Sequence, residues 1–288
     1  MRVKVSGIGW MLWAGLAFTL MNIGVKMVKH LPIGEIIIAR AGVQMLISFW
    51  IAQRLKLKVF NKHSKWLVMR GVFGTIGLFC FYYTLQVLPL GNAIVVHSLS
   101  PILTTILAMI FFKEKVFTIQ WLWFSLIFIG VYIVNGSVMD ANIIGLIVGF
   151  FGALFSAAAY NSIKKLKGLV HPQLVVFYFP LVAIPLVSIY TLLVGEKWVW
   201  PLNYEWFWLL SIGFATHLGQ TFLTAAYQAD DASRISPMSY LGIIWGAISG
   251  LLLFDETYII AQYLGAAVIF IGILLNIRTK AYYAKHKG

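Results

Sequence analysis

The side chains of this sequence that could bind a solute or a proton recur at helical spacing inside apolar segments. One segment carries four such positions in succession, His217, Gln220, Thr224 and Gln228, on the same helix face as Gly213. Separations of three, four and seven residues place side chains on one face of a helix. Imidazole and amide groups donate and accept hydrogen bonds, and imidazole can also bind a proton. Because lipid solvates such groups poorly, we expect this polar stripe to face the interior of a helix bundle.

The polar stripe has a counterpart in the first half of the chain. Moving the sequence by 142 positions, from Glu114 to Glu256, aligns Thr75 with His217, Tyr82 with Thr224 and Gln86 with Gln228. The fourth apolar segment adds a face made of His97, Ser100, Thr104 and Ala108, and the ninth a matching face made of Ser239, Gly242, Gly246 and Gly250. Small residues on such a face permit close helix packing or widen a cavity. The repeated pattern predicts two related halves.

Further candidates complete a predicted substrate site. A shift of 138 positions, from Lys26 to Lys164, pairs Asn22 with Tyr160. Aromatic faces in the ninth segment can stack on an organic ring or contact a cation. The predicted substrate-binding residues are Asn22, Tyr82, His97, Tyr160, His217, Gln220, Tyr240 and Trp245. The alternative role of each of them is interhelical hydrogen bonding or packing.

Arg40 is a charged residue inside the second apolar segment. It lies about seven residues into that segment, which corresponds to a depth of roughly 10 Å. A charge at the membrane centre costs about 2.5–3.5 kcal/mol on insertion scales, so the guanidinium needs compensation. Two roles are open: contact with an anionic substrate, or a structural role in which Gln44 and Ser48 on the same helix face hydrogen-bond it.

The composition predicts an all-α integral membrane protein. Of the 288 residues, 61% are hydrophobic and 11% are charged, whereas soluble domains carry about 25% charged residues. The chain has about ten apolar stretches of the length that a membrane span needs. They cover approximately 6–28, 33–53, 67–87, 90–112, 118–136, 143–163, 172–194, 205–227, 233–254 and 259–277. Prolines such as Pro101, Pro180 and Pro237 are expected to kink these helices.

The placement of basic residues predicts the orientation. One side of the membrane collects most of them: Arg2, Lys4, the run from Arg54 to Arg70 and a basic tail at 278–288. The other side has only Lys26, Lys29 and Lys197. This positive-inside pattern places both termini in the cytoplasm of a plasma or bacterial inner membrane, with the basic loops on anionic lipid. Because each half has five segments, an odd number, the second half is predicted to be inverted.

Other functional classes fit the sequence less well. The net charge of +13 is explained by the loops, so we predict no nucleic-acid partner. No Asp or Glu lies deep in a predicted span, so neither His97 nor His217 has a carboxylate to orient it as a catalytic base. Cys80 is the only cysteine and can form no internal disulfide. We predict a protein that is not an enzyme and needs no metal or cofactor, and an integral membrane enzyme remains the minor alternative.

Two motifs resemble a known family. The first copy consists of Phe112-Lys113-Glu114, then Gln120-Trp121 and Gly130, and the second of Phe254-Asp255-Glu256, then Gln262 and Gly272. Both are similar to the EamA-type repeat of the drug/metabolite transporter superfamily. Lys113 and Asp255 stand where that family more often has glycine, a change that we expect to matter little in a loop.

The resemblance implies a fold and a function. It implies two inverted five-helix repeats, at 6–136 and 143–277, and a central cavity for a small organic metabolite. The stretch from Ala229 to Leu253 is similar to branches that carry adenosylmethionine-like or riboflavin-like metabolites. The expected solute is a nucleoside-like, adenosylmethionine-like or riboflavin-like compound, and an amino-acid or drug/metabolite exporter of the same family is the alternative. We expect transport by alternating access, in which the two halves rock about a site between them. Proton coupling through a histidine, uniport, exchange and a homodimer all stay open.

Overall fold

The computed structural model describes residues 6–135 and 142–286, and nearly all of these residues are helical. Most of the junction predicted near Ser137–Asn142 lies outside the described residues, as do Arg2, Lys4 and Lys287. Within the described part, nine helical stretches are long and apolar enough to cross a membrane. The predicted all-α membrane fold is confirmed.

The helices follow the predicted spans closely. Their bounds are α1 Gly7–Met27, α2 Ile33–Arg54, α3 Ser64–Val87, α4 Leu90–His97, α5 Ser100–Phe112, α6 Thr118–Asn135, α7 Ile143–Lys165, α8 Pro172–Val194, α9 Asn203–Ala229, α10 Ala232–Ile235, a 3-10 segment Ser236–Tyr240, α11 Leu241–Leu253 and α12 Ile260–His286. The polar stripe lies on α9, whose 27 residues suffice to cross a bilayer.

Two of the predicted spans are broken helices. The fourth consists of α4 and α5, and the ninth of α10, the 3-10 segment and α11. Pro101 lies in the first turn of α5 and Pro237 in the first turn of the 3-10 segment. The helix that begins there does not need the N–H that proline lacks, so the proline starts a helix instead of kinking one. By contrast, Pro180 and Pro185 lie inside the continuous helix α8, as predicted.

The chain forms two compact units, and neither coincides with one repeat. Unit 1 comprises Met1–Thr75 and Ser162–Ala229, and unit 2 comprises Ile76–Asn161 and Asp230–Gly288. Unit 1 therefore holds α1 and α2 of the first half together with α8 and α9 of the second. Unit 2 holds the broken spans of both halves, together with α6 and α12. Elements of the two repeats pack with one another inside each unit.

In unit 1, α9 packs along α1 and α2 through close helix approaches. A side chain at Gly219 would collide with the Phe18 ring, with approaches of 2.7–3.0 Å, and one at Gly213 with Val43. Trp10 stacks on Phe222 with ring centres 5.5 Å apart. These approaches bring the side chains of α2 against the polar stripe of α9.

In unit 2, α6 and α12 pack through equivalent residues of the two repeats. A Cβ at Gly130 would lie 2.8 Å from Ile269 Cγ1, and one at Gly272 would lie 2.6 Å from Ile127 Cγ1. The shift of 142 positions converts each of these contacts into the other. This reciprocity is the pattern of a two-fold interface, formed here within one chain.

Candidate functional site

His217 lies in the middle of α9, and it is 3% exposed. Its Nδ1 is 3.2 Å from the Ser48 hydroxyl, and that hydroxyl donates to the Gln44 carbonyl at 2.7 Å. Because Ser48 has one hydroxyl proton, both bonds are satisfied when Nδ1 carries a hydrogen and donates to Ser48 Oγ. The other ring nitrogen, Nε2, is then an acceptor. His217 could therefore accept a hydrogen bond from a solute or take up a proton.

The Gln44 side chain on α2 forms a hydrogen bond to the backbone of α8 one turn before Pro180. Pro180 has no N–H, so the carbonyl of Val176, four residues earlier, has no helical donor. Gln44 Nε2 donates to this carbonyl at 2.9 Å, and Gln44 is 1% exposed. A carbonyl inside a membrane protein requires such a partner. Gln44 is a structural residue that holds the backbone behind His217.

Gln220 on α9 accepts a hydrogen bond from Arg70 on α3. Arg70 Nη2 donates to Gln220 Oε1 at 3.2 Å, and the Arg70 guanidinium carbon lies 4.9 Å from the centre of the Phe179 ring. Arg70 is 3% exposed and lies inside α3. The sequence predicts Arg70 near the start of the span 67–87, with the basic residues of the cytoplasmic side, and α3, which begins six residues earlier at Ser64, contains it.

Arg40 is half-buried in α2, and its structural compensation differs from the prediction. Its Nη1 donates to Met21 Sδ at 3.6 Å, and a thioether is a weak acceptor. The expected hydrogen bonds from Gln44 and Ser48 do not form, because both side chains bond elsewhere. Asn22, the residue after Met21, is exposed.

In unit 2, the two broken spans bond to each other at their breaks. The Tyr240 hydroxyl donates to the Ser98 carbonyl, and Ser236 Oγ donates to the Pro101 carbonyl at 2.9 Å. Thr105 Oγ1 lies 3.0 Å from Ser236 Oγ. Ser98 and Tyr240 are equivalent positions under the shift of 142. Interrupted helices at corresponding positions of two repeats are a feature of transporter binding sites.

His97 and Trp245 present buried nitrogens beside this region. His97 ends α4, and its ring centre lies 4.5 Å from that of Phe81. His97 Nδ1 and Trp245 Nε1 are both buried and have no hydrogen-bond partner among the described residues. Leaving a buried polar group unpaired costs about 1–3 kcal/mol. These two nitrogens are therefore the candidates in unit 2 for hydrogen bonds to a solute.

The predicted face that begins at His97 does not exist as one helix face. Ser100, Thr104 and Ala108 lie on α5, whereas His97 belongs to α4. The matching face of the ninth span, which contains Gly242, Gly246 and Gly250, packs closely against other residues along only part of its length. Among the described residues, no atom lies within 4 Å of a Cβ built at Gly242 or Gly246. These two glycines leave space on the helix that carries Trp245.

The remaining candidates are the two tyrosines Tyr82 and Tyr160, and both are half-buried in unit 2. The Tyr82 ring centre lies 6.1 Å from that of Phe81, which contacts His97. Tyr160 precedes Asn161, a buried residue whose Nδ2 donates to the Thr104 carbonyl at 3.0 Å. Tyr82 and His97 thus belong to one aromatic group, which Phe81 joins.

Several residues of the site were missed by sequence reasoning. In unit 1, the structure brings His217 and Gln220 onto one face of α9 and adds Ser48, Arg70 and Phe179 to them. Of these three residues, only Arg70 had a signal in the sequence: it is a charged residue inside the predicted apolar span 67–87. In the structure, 17 residues of α3 follow it. The described residues contain no group of three His, Cys, Asp or Glu side chains that could hold a metal ion.

Comparisons with known proteins agree with this architecture. A model of the family described as "EamA-like transporter family" matches residues 5–136 and again residues 143–278. A pseudopaline exporter of Pseudomonas aeruginosa is 28% identical over 96% of this chain and 97% of its own length. A riboflavin transporter of Vibrio cholerae is 28% identical over 93% of this chain and 92% of its own. A solved crystal structure aligns with a TM-score of 0.82 at 15% identity, over 95% of this chain and 98% of that one.

Proposed function

The chain belongs to the EamA-like transporter family, and from this premise we propose that it carries a small organic metabolite across a cell membrane by alternating access. As a member of that family it is a multi-pass small-molecule transporter. The finer proposal concerns the residues that meet the solute, the class of solute and the mechanism. Alternating access requires that one site opens first to one side and then to the other.

The polar stripe of α9 carries the proposal. His217 and Thr224 are 3% and 1% exposed, and Gln220 and Gln228 are half-buried on the same face. Gln228 Nε2 and Thr224 Oγ1 are buried without a partner among the described residues. A helix that only held a bundle together would need fewer polar groups, and each of these must find a hydrogen bond in the membrane. A solute passing along the stripe would supply it.

The predicted residues would make two kinds of contact with the solute, hydrogen bonds and aromatic contacts. His97, His217, Gln220 and Trp245 would hydrogen-bond polar groups of the solute. Tyr82, Tyr160 and Tyr240 would offer aromatic faces, and Asn22 a further amide. The Tyr240 hydroxyl already bonds the Ser98 carbonyl, so we propose that its ring, rather than its hydroxyl, meets the solute.

Nucleoside-like, adenosylmethionine-like or riboflavin-like compounds are the proposed solutes. Relatives named as riboflavin transporters and as a pseudopaline exporter support organic solutes of this size. An amino-acid or drug/metabolite exporter of the same family is the alternative. The basic loops support an orientation with both termini in the cytoplasm.

Proteoliposome transport tests the proposal. Vesicles containing the protein would be loaded with a bacterial metabolite extract, and compounds lost from the lumen would be identified by mass spectrometry. We expect unmodified compounds to leave, and His217→Leu to slow their loss by about tenfold, because one hydrogen bond of about 1.4 kcal/mol is worth that factor. Phe214→Leu on the exposed side of α9 is the matched control. Chemically altered compounds would favour an enzyme, and no loss from any vesicle would contradict transport.

A further inference from the structure

Ser48 holds His217 through a short chain of hydrogen bonds inside unit 1. About one turn before these residues α2 and α9 touch, since a Cβ built at Gly213 would lie 2.4 Å from Val43 Cβ. His217 Nδ1 is 3.2 Å from Ser48 Oγ, and Ser48 Oγ is 2.7 Å from the Gln44 carbonyl. All three residues are buried, so the chain is shielded from solvent. The position of the imidazole is therefore set from its Nδ1 side.

The hydrogens of this chain decide which tautomer His217 adopts. Ser48 has one hydroxyl hydrogen, and the Gln44 carbonyl can only accept. If His217 carries its hydrogen on Nδ1, the imidazole donates to Ser48 Oγ and the hydroxyl donates to the carbonyl, which makes two hydrogen bonds. If the hydrogen is on Nε2, the hydroxyl can serve only one of its two neighbouring acceptors. One additional hydrogen bond corresponds to a preference of about tenfold for the tautomer with hydrogen on Nδ1.

The surroundings of His217 favour a neutral imidazole. A buried imidazolium needs a carboxylate beside it. The helices α1, α3 and α8 contain no Asp or Glu, and the acidic residues of α2 and α9, Glu35 and Glu205, lie in the first turns. His217 follows Glu205 by 12 residues, which is about 18 Å along the helix. A neutral ring with its hydrogen on Nδ1 has a lone pair on Nε2, and this atom bonds none of the described residues.

We propose that Ser48 sets the tautomer of His217, and that the transported solute therefore presents a hydrogen-bond donor to His217 Nε2. The donor is a hydroxyl, an amine or an amide N–H group of the solute. This inference rests on the proposed transport function and adds a chemical requirement to its solute. A carbonyl, ether or carboxylate oxygen at the same place would face the lone pair of Nε2 and be rejected. Ser48 acts on the solute through His217, so it is a positioning residue.

Nitrogen NMR of the imidazole tests the first step without any solute. The full-length protein would carry isotopically labelled histidine, and the His217 signals would be assigned by their absence from a His217→Gln spectrum. At about pH 8, where histidine is neutral, we expect the hydrogen on Nδ1 in the native protein. Ser48→Ala removes the acceptor and should give a mixture of both tautomers, whereas Ser48→Thr keeps a hydroxyl and should keep the native signal. A hydrogen on Nε2 in the native protein, or an unchanged tautomer in Ser48→Ala, would overturn the inference.

Transport by the same variants tests whether the tautomer matters to the solute. Ser48→Ala is expected to slow the loss of compounds from vesicles loaded with metabolite extract by about tenfold, and Ser48→Thr to restore most of the rate. Thr216→Val is the matched control. Thr216 is also buried and also donates to the carbonyl four residues before it, at 2.7 Å, but among the described residues it bonds no histidine. An equal slowing by Thr216→Val would trace the effect to a lost helix hydroxyl and overturn the inference.

Methylated solutes identify the donor. For the compound that leaves the vesicles fastest, each O–H and N–H group would be methylated in turn. One of these methylations should slow the loss by about tenfold from native vesicles and have no further effect in His217→Leu vesicles, because both changes remove the same hydrogen bond. If every methylation acted equally on both proteins, the inference would fail while transport stood. Loss of no compound at all would contradict the transport function, and the inference with it.

Discussion

The two copies of the family motif can be compared residue by residue in unit 2, at the start of α6 and at the start of α12. Gln120 and Gln262 behave alike. Their Oε1 atoms accept from the amides of Phe117 and Ile259 at 3.1 and 3.0 Å, and so begin the two helices. Their Nε2 atoms cross to the opposite helix, where Gln120 meets Asn276 Oδ1 at 3.0 Å and Gln262 the Val134 carbonyl at 3.3 Å.

The glutamates of the same motif behave differently. Glu114 accepts from the amides of Ala232 and Ser233 at 3.0 and 3.2 Å and so caps α10. Glu256 is exposed and accepts from Tyr258 at 2.6 Å. The first turn of α4, the counterpart of α10, has no side-chain cap. The repeat therefore keeps a symmetric scaffold, while the ends of its broken spans are held differently.

Asn276 is expected to be the most costly position at which to break the symmetric scaffold. Its Oδ1 accepts from Gln120, and its Nδ2 donates at 3.0 Å to the Ser233 carbonyl, which Pro237 deprives of a helical donor. Asn276→Val leaves two buried groups unpaired and should lower the free energy of unfolding by about 3 kcal/mol. Val134→Ala at the equivalent position should cost about 1 kcal/mol, because Gln262 bonds the backbone there. Equal losses in denaturant titrations would contradict this account.

The next largest effect is expected where α6 and α12 touch. A Cβ at Gly130 would lie 2.8 Å from the Gly265 carbonyl, which cannot rotate away, whereas one at Gly272 meets the movable Ile127 side chain. Overpacking lowers the stability by about 1–3 kcal/mol. Replacing glycine by alanine in a helix raises it by about 1 kcal/mol, because alanine has the higher helix propensity. Gly130→Ala should therefore destabilise by about 2 kcal/mol and Gly272→Ala by little. Thermal unfolding in detergent measures the difference, and a more harmful Gly272→Ala would refute it.

The glutamates allow a sharper test of the asymmetry. Glu114→Ala removes two charge-assisted bonds to the amides of α10 and should cost about 2 kcal/mol. Glu256→Ala should cost well under 1 kcal/mol because the Glu256 side chain is exposed. Desolvation, followed by the contact with Glu256, raises the pKa of Tyr258 to about 12, so the phenol remains a donor near neutral pH. If both alanine variants unfolded at the same denaturant concentration, the two ends would be equivalent after all.

The smallest effect is expected at the residue before each glutamate, and there it should be a gain. Lys113 and Asp255 have φ of 53° and 50°, in the left-handed region. The prediction that replacing the family's glycine matters little is therefore wrong, since a side chain costs about 1–2 kcal/mol there. Glycine also loses more chain entropy on folding, so Lys113→Gly and Asp255→Gly should each stabilise by about 0.5–1 kcal/mol. Unchanged or lower melting temperatures would show that the strain is absent.

The sequence predicted the helices well because their signal is local. Apolar length places α1, α2 and α7 to within a few residues, and the repeat identified Gln120 and Gln262 as related. Their role could not be predicted, because the partner of a polar side chain depends on which helix lies opposite. For the same reason, the hydrogen bond between Gln44 and the Val176 carbonyl could not be predicted, although Pro180 indicated that this carbonyl lacks a helical donor.

The candidate site was predicted in part. His217 and Gln220 follow from helical spacing, whereas Arg70 was counted only among the basic residues of the cytoplasmic side and was not named as a site residue. The helix breaks near Ser98 and Ser236 were also missed, because a proline signals either a kink or a new helix start. Choosing between the two needs the side chains that satisfy the freed carbonyls, and these come from a distant part of the chain.

Thiol labelling of α9 tests the central claim most directly. In a Cys80→Ser background, Gln220→Cys and Thr224→Cys would introduce thiols on the polar stripe, and Leu210→Cys and Phe214→Cys would introduce them nearer the start of α9, where the native side chains are 57% and 54% exposed. If the stripe lines a wet solute route, a charged, water-soluble methanethiosulfonate will modify the first pair and spare the second, because we expect lipid to cover the exposed apolar positions 210 and 214. If the stripe thiols prove as unreactive as those at 210 and 214, no aqueous route follows this helix and the carrier account fails.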